Sequence, residues 1–397
     1  MSSYLSASWI YPVSSAPLQN GVIAVADDGT ISAIFTAEQA HSQQLTDIIY
    51  YEGVIVPGFV NTHCHLELSH LAGKIPEHTG LPGFVQQIMQ QREADAGSIT
   101  TAMVTADAEM YANGIVAVGD ISNQLISREV KINSSICYHT FVEAMGFNPV
   151  RATEIIAKAR VTRDAFAPLK ATVVPHAPYS VSEELFAAIN RESGAAEGSV
   201  TIHNQETADE NAFFETKTGH FLKLYEYLGL DISSFTAIGK TSLQTYLPMM
   251  PALPRTLLVH NTFTSEADIR FASSIHQRLF WCLCPNANLY IENRLPDVRL
   301  LMNQGLTITL GTDSLASNHQ LSILAEMFVL QEQLDIPFEV LLRWATLNGA
   351  AFLGMESLFG SLQPGRKPGI ILIEFLNPGK DGKNPRIDNI TRIKRLF

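Results

Sequence analysis

Short apolar runs alternate with longer amphipathic stretches over most of this chain. Eight of the runs have the length of buried strands, and they cover residues 55–61, 115–120, 136–142, 171–175, 200–203, 256–260, 279–283 and 306–310. The stretches between them, such as 81–111, and the stretch 321–342 after the last run have helical spacing and enough residues for crossover helices. Strands that alternate with helices predict a parallel sheet, and eight such units favour an α/β fold closed as a (β/α)8, TIM-like barrel.

The two ends of the chain carry a different pattern. Between residues 4 and 56, apolar runs are broken by turn signals, such as the Asn-Gly pair at 20–21 and the Asp-Asp-Gly run at 27–29. Strand signals return at 369–374 and, more weakly, at 390–396. We therefore predict a small β-sandwich made from both chain termini, residues 1–56 and 361–397, beside a barrel at 57–360.

The composition allows a large core and disfavours some partners. The chain has 397 residues, of which 46% are hydrophobic, and a formal net charge of −12. Without a basic stripe this charge argues against nucleic acid and favours a small-molecule substrate. We expect neither export nor a membrane partner, because no signal-like start and no apolar stretch of about 18 residues occurs. The four cysteines include no CxxC pair, so a reducing, cytoplasmic location is expected.

Polar side chains follow the ends of several predicted strands, where the loops of a barrel converge on one cavity. The first strand runs into His63 and His65, the fifth into His203 and the eighth into Asp313. Residues two apart on a strand face the same side, so His63 and His65 can point to one place. Imidazoles and a carboxylate are usual zinc ligands, and a catalytic site keeps one position for water. These four residues are therefore the candidate metal ligands.

Each of these signals has a simpler alternative when it is taken alone. A bare His-x-His is more often an ordinary pair of strand histidines, and Asp313 could cap the helix that follows it. Cys64, Cys282 and Cys284 are more readily explained as core residues than as ligands. Three further polar strand ends at barrel spacing make the metal interpretation the stronger one for the set.

Five segments, taken in order, carry a resemblance to a known family. They are PGFVNTHCHLELS at 57–69, PHAPYSVS at 175–182, HNQE at 203–206, CPNAN at 284–288 and LGTDSLASN at 310–318. Together they resemble the amidohydrolase superfamily over nearly the whole chain. The branch they are most similar to contains aminohydrolases and chlorohydrolases that act on purines, pterins and triazines.

The resemblance implies a metal-dependent hydrolase with one divalent metal, Zn²⁺ in the first place and Fe²⁺ as the alternative. Its ligands would be His63, His65, His203 and Asp313. One metal rather than two is implied, because a binuclear relative needs a carboxylated lysine where this chain has His176. Glu206, His260 and Asp313 would be the catalytic residues. The substrate-binding residues are then expected to be His176, Glu67, Glu143, Arg92 and Ser314. Arg92 or Arg294 would meet a substrate carboxylate, and Glu143 would either bind a ribose hydroxyl or have a capping or surface role.

The expected reaction is hydrolytic deamination of an aminated purine nucleoside-like substrate, in which activated water attacks the amino-bearing ring carbon and ammonia leaves. The segment around Glu67 resembles aminodeoxyfutalosine deaminases of the alternative menaquinone route, which implies 6-amino-6-deoxyfutalosine as the substrate. Other readings stay open, namely a chlorohydrolase, an amidohydrolase of guanine, pterin or triazine rings, and a non-catalytic binding barrel. The resemblance is also compatible with a homodimer.

Overall fold

A computed structural model describes residues 2–193, 198–377 and 384–397. The strands are β1 Ser2–Ile10, β2 Leu18–Gln19, β3 Val22–Ala26, β4 Ile31–Phe35, β5 Ile48–Pro57, β6 Phe59–Cys64, β7 Ile115–Ser122, β8 Cys137–Ala144, β9 Lys170–Pro175, β10 Ser199–Asn204, β11 Arg255–His260, β12 Leu279–Leu283, β13 Ile308–Leu310, β14 Ile370–Glu374 and β15 Arg392–Arg395. The α-helices are α1 Ala37–Ser42, α2 Gly80–Gln91, α3 Ala96–Ala112, α4 Arg128–Asn133, α5 Ala152–Ala165, α6 Glu183–Ser193, α7 Ala208–Thr216, α8 Phe221–Tyr227, α9 Ser242–Tyr246, α10 Glu266–Ile275, α11 Pro285–Glu292, α12 Val298–Asn303, α13 Ile323–Leu334, α14 Phe338–Arg343 and α15 Gly349–Leu353. Single turns of 3-10 helix lie at Leu66–Leu71, Pro149–Arg151, Pro178–Ser180 and Leu247–Met249, and a π-helical turn lies at Trp344–Asn348.

The central strands form two four-stranded sheets, ordered β6-β7-β8-β9 and β10-β11-β12-β13, with parallel pairing throughout. Backbone hydrogen bonds join the sheets on both sides. The amide of His203 donates to the carbonyl of His176 at 3.1 Å, and the amides of Thr312 and Asp313 donate to the carbonyl of His63 at 3.0 and 3.1 Å. The predicted α/β class with parallel strands is thus confirmed.

The strands are buried on both faces because helices cover the outside, which is how parallel sheets are normally protected. Every residue of β7 and of β10 is buried. Polar caps begin the covering helices: Thr207 caps α7, Ser322 caps α13, and Ser265 forms a capping box with Asp268 at the start of α10. The apolar core lies between these helices and the strands.

Strands from both ends of the chain pair with one another outside the central sheets. The seven-stranded sheet has the order β15-β14-β5-β1-β3-β4, with β2 on β1, and Ile371 of β14 lies opposite Val56 of β5. Hydrogen bonds join these strands into one sheet, so the predicted two-layer β-sandwich stays a prediction. Residues 1 and 378–383 of the predicted terminal unit lie outside the described residues. Among the described helices, none is long and apolar enough to cross a membrane.

The run predicted at 55–61 is divided between two structures. β5 ends at Pro57 in the terminal sheet, and β6 begins at Phe59 in the central one. A Cβ on Gly58 would lie 2.3 Å from Cγ1 of Val116. Only glycine lets the chain pass so close to β7 at this crossing.

Candidate metal centre and catalytic pocket

The predicted ligands come together at the carboxyl ends of the strands. Nε2 of His63 lies 3.2 Å from Nε2 of His65, and Oδ1 of Asp313 lies 3.6 Å from the first nitrogen and 3.4 Å from the second. Ligand nitrogens of His63, His203 and His260 also lie within 4.8 Å of one another. All four candidate ligands are therefore in one buried cluster with His260.

The donor set fits a single divalent cation. Two ligand atoms on a tetrahedral zinc, each about 2.0–2.1 Å from it, are roughly 3.3 Å apart, which matches the three spacings among His63, His65 and Asp313. Two imidazole nitrogens that face each other at 3.2 Å cannot both be donors of one hydrogen bond, so at least one lone pair points into the cluster. Such converging lone pairs beside a carboxylate are suited to a cation.

Asp313 is fixed by bonds that leave one oxygen for the cluster. Oγ of Ser317 donates to Oδ2 of Asp313 at 2.6 Å, while Oδ1 faces the histidines. The φ of Asp313 is 56°, a strained value for a non-glycine residue, of the kind that accumulates at functional sites. A Cβ on Gly311 would lie 2.8 Å from Cβ of His63, so glycine allows this close approach of β13 to β6. The helix-cap alternative for Asp313 is wrong, because Ser322 caps the helix that follows.

Burial keeps the imidazoles of His65 and His203 neutral, as metal ligation requires. Burial and the neighbouring histidines hold the pKa of His203 well below its ordinary value. Burial likewise lowers the pKa of His65 well below normal, although Asp313 opposes the effect. Burial alone would raise the pKa of the Asp313 carboxyl, but the hydrogen bond from His63 and the electrostatic influence of the neighbouring His65 and His260 lower it below its ordinary value, which favours the ionised carboxylate.

A second acid-base pair adjoins the cluster. Nε2 of His260 lies 3.6 Å from Oε1 of Glu206, and Nδ1 of His260 lies 2.8 Å from Oδ1 of Asn288. Burial lowers the pKa of His260 to about 4. Burial and the charge of Asp313 raise the pKa of Glu206 well above its ordinary value, which favours the protonated form of this carboxyl. The pair can therefore both accept and donate a proton.

A cavity of about 560 Å³ opens from this cluster. Its inner wall includes His176, Glu143 and Ser314. Burial raises the pKa of Glu143 to about 8, and Oε1 of Glu143 lies 3.5 Å from Nδ1 of His203. Nδ1 of His176 lies 2.7 Å from Oγ of Ser180, which orients the ring. The outer wall is apolar and comes mainly from α2 and α8, with side chains Leu81, Phe84, Val85, Ile88, Leu224, Tyr225 and Leu228.

Two of the predicted substrate-binding residues, Arg92 and Glu67, form a salt bridge with each other. Arg92 lines the cavity, but its Nη2 donates to Oε1 of Glu67 at 2.7 Å and to Oδ1 of Asn123 at 3.0 Å. Glu67 is not among the described residues that line the cavity, and it also accepts from the amide of Asn123. The side chain of Asn123 in turn donates to Oε2 of Glu143 at 3.2 Å. Glu67 therefore supports the wall rather than facing the cavity.

Several supporting residues were missed by the sequence reasoning. Asn288 and Ser317 stand inside the quoted CPNAN and LGTDSLASN segments, yet nothing in those letters marks them as partners of His260 and Asp313. Asn123 follows the second central strand, and its position after a strand end was an available signal.

An α/β scaffold of parallel strands with three histidines and an aspartate at the strand ends is typical of metal-dependent hydrolases. The sequence profile of the amidohydrolase family matches residues 54–396, and the chain belongs to this family. It is accordingly a hydrolase that acts on carbon–nitrogen bonds.

Known relatives are similar over most of the chain. An adenosine deaminase of Helicobacter pylori is 25% identical over 333 residues, which cover 82% of this chain and 80% of the relative. A 5-methylthioadenosine/S-adenosylhomocysteine deaminase of Teredinibacter turnerae is 25% identical and covers 94% of this chain and 84% of the relative. The crystal structure of Helicobacter pylori aminofutalosine deaminase in complex with methylthio-coformycin shares the fold, with a TM-score of 0.79, 22% identity, and coverage of 94% of this chain and 93% of that one.

Proposed function

We propose that this chain is a mononuclear, metal-dependent deaminase of adenosine-like nucleosides. The observation that carries the proposal is the buried cluster of His63, His65, His203 and Asp313, with the Glu206 carboxyl, whose pKa burial raises, beside it at the floor of a cavity. Curated relatives that deaminate adenosine and 5-methylthioadenosine support the choice of reaction. We further propose that residues 57–360 form a closed barrel, which the backbone bonds joining the two central sheets support, and that residues 1–56 and 361–397 form the accessory unit.

The four cluster residues would hold one divalent cation, zinc or ferrous iron, since imidazole and carboxylate suit both. When bound, such a cation lowers the pKa of a coordinated water to about 7 and so makes it nucleophilic at neutral pH.

Proton transfers fall to the residues of the chain. Nδ1 of His260 donates to Asn288, which leaves the Nε2 lone pair to take a proton from the attacking water. Protonated Glu206 donates its proton to the ring nitrogen beside the amino-bearing carbon, which prevents negative charge from building up on the ring. Glu206, now ionised, accepts the proton of the added hydroxyl as the ring carbonyl forms, and the amino group departs as ammonia with the proton that His260 took from the water. Overall, amine and water give a ring carbonyl and ammonia.

The walls of the cavity suit a nucleoside with an apolar substituent. The inner polar groups, His176 and Glu143, would bind a ring heteroatom and a ribose hydroxyl, and Ser314 lies beside them. The apolar outer wall would receive the group attached at the far end of the ribose. Within this class we propose 6-amino-6-deoxyfutalosine as the substrate, with Arg92 meeting its carboxylate while Glu67 holds Arg92 in place.

Ammonia release from a panel of substrates tests the proposal. The panel contains adenosine, 5′-deoxyadenosine, 5′-methylthioadenosine, S-adenosylhomocysteine and 6-amino-6-deoxyfutalosine, together with a chlorotriazine assayed for chloride. We expect ammonia from the nucleosides and no chloride. Glu206→Gln should lower kcat about 10²- to 10⁴-fold without changing the metal content, because it removes a proton donor that is not a ligand.

Two controls separate catalysis from folding and metal loss. Glu215→Gln changes an exposed carboxyl at the end of the helix that follows Glu206, so it should leave turnover unchanged. His63→Ala should remove the metal and abolish turnover. Full activity of a metal-free protein, or no ammonia from any nucleoside, would refute the proposal.

A further inference from the structure

A second cavity, of about 800 Å³, lies at the opposite end of the central strands. Its lining includes Lys170 and Arg255, the first residues of β9 and β11, and His139 near the start of β8. The catalytic residues lie at the carboxyl ends of the same strands. We call this space the basal cavity, because it is separated from the catalytic pocket by the length of the strands.

The basal cavity is positively charged within an acidic protein. Lys170, Arg255 and Arg366 come from three separate parts of the chain, whereas Glu356 is the one carboxylate among the described lining residues. The whole chain has a net charge of −12, so this concentration of cations is not a property of the surface in general. A concave site lined by one sign of charge raises the local concentration of ions of the opposite sign.

The guanidinium of Arg255 is positioned by the fold. Its Nε donates to Oγ of Ser199 at 3.2 Å, and that hydroxyl donates to the carbonyl of Phe352 at 2.7 Å. Gly354 has a φ of 66°, and a Cβ there would lie 2.5 Å from Nη2 of Arg255. The glycine therefore makes room for the guanidinium at the cavity wall.

His139, which also lines the basal cavity, has a buried ring nitrogen without a hydrogen-bond partner among the described residues. Only 8% of the surface of His139 is exposed, and the nitrogen without a partner is Nδ1. Nε2 lies 3.0 Å from Oγ1 of Thr172, and in the tautomer in which this hydroxyl donates to Nε2, Nδ1 carries the proton. In that tautomer Nδ1 is a buried donor without an acceptor, which is costly, and an anionic oxygen that reached it would satisfy it.

Lys170 and His139 are direct neighbours, because they are paired residues of β9 and β8. Burial, followed by the charges of Lys170 and Arg255, lowers the pKa of His139 to about 3. The ring is therefore neutral, and in the tautomer with the proton on Nδ1 it is a donor beside two cations. Neutral donors together with cations are the usual groups that bind phosphate oxygens.

We propose that the basal cavity binds a phosphate group, carried by a small phosphate ester or present as the free ion. Lys170, Arg255 and Arg366 neutralise its charge, and His139 donates a hydrogen bond to it. The volume is large enough for a nucleotide, since small-molecule sites typically enclose about 300–1,000 Å³. This site is independent of the deamination proposed above.

Calorimetric titration of the metal-loaded enzyme with uridine 5′-diphosphate and with inorganic phosphate tests this site. Uridine has no exocyclic amino group, so this nucleotide is not a substrate for deamination. We expect saturable 1:1 binding that becomes at least tenfold weaker in Lys170→Gln and in Arg366→Gln, because each loses one charge-assisted contact. Binding of both ligands to the same residues indicates an ester site, and binding of phosphate alone indicates a site for the free ion. Either result supports the proposal.

Lys158→Gln is the matched control, since Lys158 is an exposed lysine on α5 outside the basal cavity. It should bind both ligands like the wild type. Lys170→Gln should keep its deamination turnover within about twofold, which shows that it is folded. The proposal is overturned by the absence of saturable binding, by binding that ignores Lys170 and Arg366, or by equal weakening in the control.

Discussion

The buried ion pair between Lys131 and Asp120 offers a sharp test of how the metal-binding strand is held. Nζ of Lys131 lies 2.6 Å from Oδ2 of Asp120, and both side chains are fully inaccessible to solvent. The ammonium also donates to Oγ of Ser122 at 2.9 Å and to Oγ1 of Thr140 at 3.1 Å. The other oxygen of Asp120 accepts from the amide of Leu66 at 2.8 Å, directly after a candidate ligand.

Lys131→Met retains most of the apolar stem and removes the charge, so the lost packing is small. Removal of one partner of a buried pair costs about 3–5 kcal/mol, because the remaining charge is uncompensated. We expect about 3 kcal/mol here, since Asp120 keeps its bond from Leu66. Asp120→Asn combined with Lys131→Met leaves no buried charge, and it should cost about 1–2 kcal/mol, less than Lys131→Met alone.

The cost should also depend on pH in a definite direction. Burial already raises the pKa of Asp120, and Lys131 is the strongest influence that lowers it. Without Lys131 the pKa of Asp120 in the folded state rises further above the unfolded value, so the folded variant holds a proton that the unfolded chain releases. Its stability is retained at pH values below the unfolded pKa and is lost as the pH rises through the folded pKa.

Urea unfolding at pH 5.5 and pH 8, with metal removed from all samples, measures these differences in the free energy of unfolding. The loss in Lys131→Met should be larger at pH 8. Lys158→Met, at an exposed site on α5, is the control and should cost less than about 0.5 kcal/mol. A loss below about 1 kcal/mol at both pH values, a loss without pH dependence, or a double variant less stable than Lys131→Met alone would refute the reasoning.

Three further predictions concern the candidate metal centre. Asn288→Ala removes the acceptor for Nδ1 of His260, and kcat should fall about 10- to 100-fold at unchanged metal content, as measured by steady-state kinetics and elemental analysis. Ser317→Ala removes the donor to Oδ2 of Asp313, and competition with a chelator should show about tenfold weaker metal binding, whereas Ser274→Ala on the surface should not. Metal removal should destabilise the wild type by about 2.7 kcal/mol relative to protein at a free metal concentration of 100 times Kd, and equal thermal midpoints with and without metal would contradict a metal at this site.

Much of the central scaffold follows from local pattern, because buried parallel strands are short apolar runs of recognisable length. The run 279–283 coincides with β12, and the others differ from their strands by a few residues at their ends. The exception is 55–61, where one apolar run serves two strands. Its first half pairs with β14, more than 300 residues later, and no local pattern contains that information.

The predicted helical stretches did not show where individual helices begin and end. The stretch 81–111 contains two helices, because Asp95 caps a new helix at Ala96. The stretch 321–342 breaks where Asp335 takes a left-handed φ of 54° and Pro337 precedes α14. Both breaks have local signals, but hydrophobic periodicity alone passes over them.

Within the site, residue type and spacing identify the donors but not their supports. His63, His65, His203 and Asp313 stand out because imidazoles and a carboxylate recur at strand ends. The pairing of Arg92 with Glu67 is different, because it depends on how the end of α2 meets the 3-10 turn that follows β6. The sequence therefore indicated which side chains are candidates for metal binding and catalysis, and it did not show which of them form ion pairs with one another.

The basal cavity could not be predicted from the sequence for the same reason, namely that its residues come together only in the fold. Lys170, Arg255 and Arg366 are far apart in the sequence, and no basic stripe joins them. Lys170 and Arg255 meet because parallel strands start at the same edge, and the segment before β14 brings Arg366 to them.

The candidate ligands divide equally between the two central sheets. His63 and His65 belong to the chain around β6, while His203 and Asp313 belong to β10 and the loop after β13. The carbonyl of His63 also accepts the two amides that join the sheets on that side. A cation at this cluster would therefore link residues 250 positions apart and favour the joined arrangement over any opening between the sheets, since only the joined arrangement presents all four ligands. Catalytic geometry and the cohesion of the scaffold are thus expected to depend on the same four side chains.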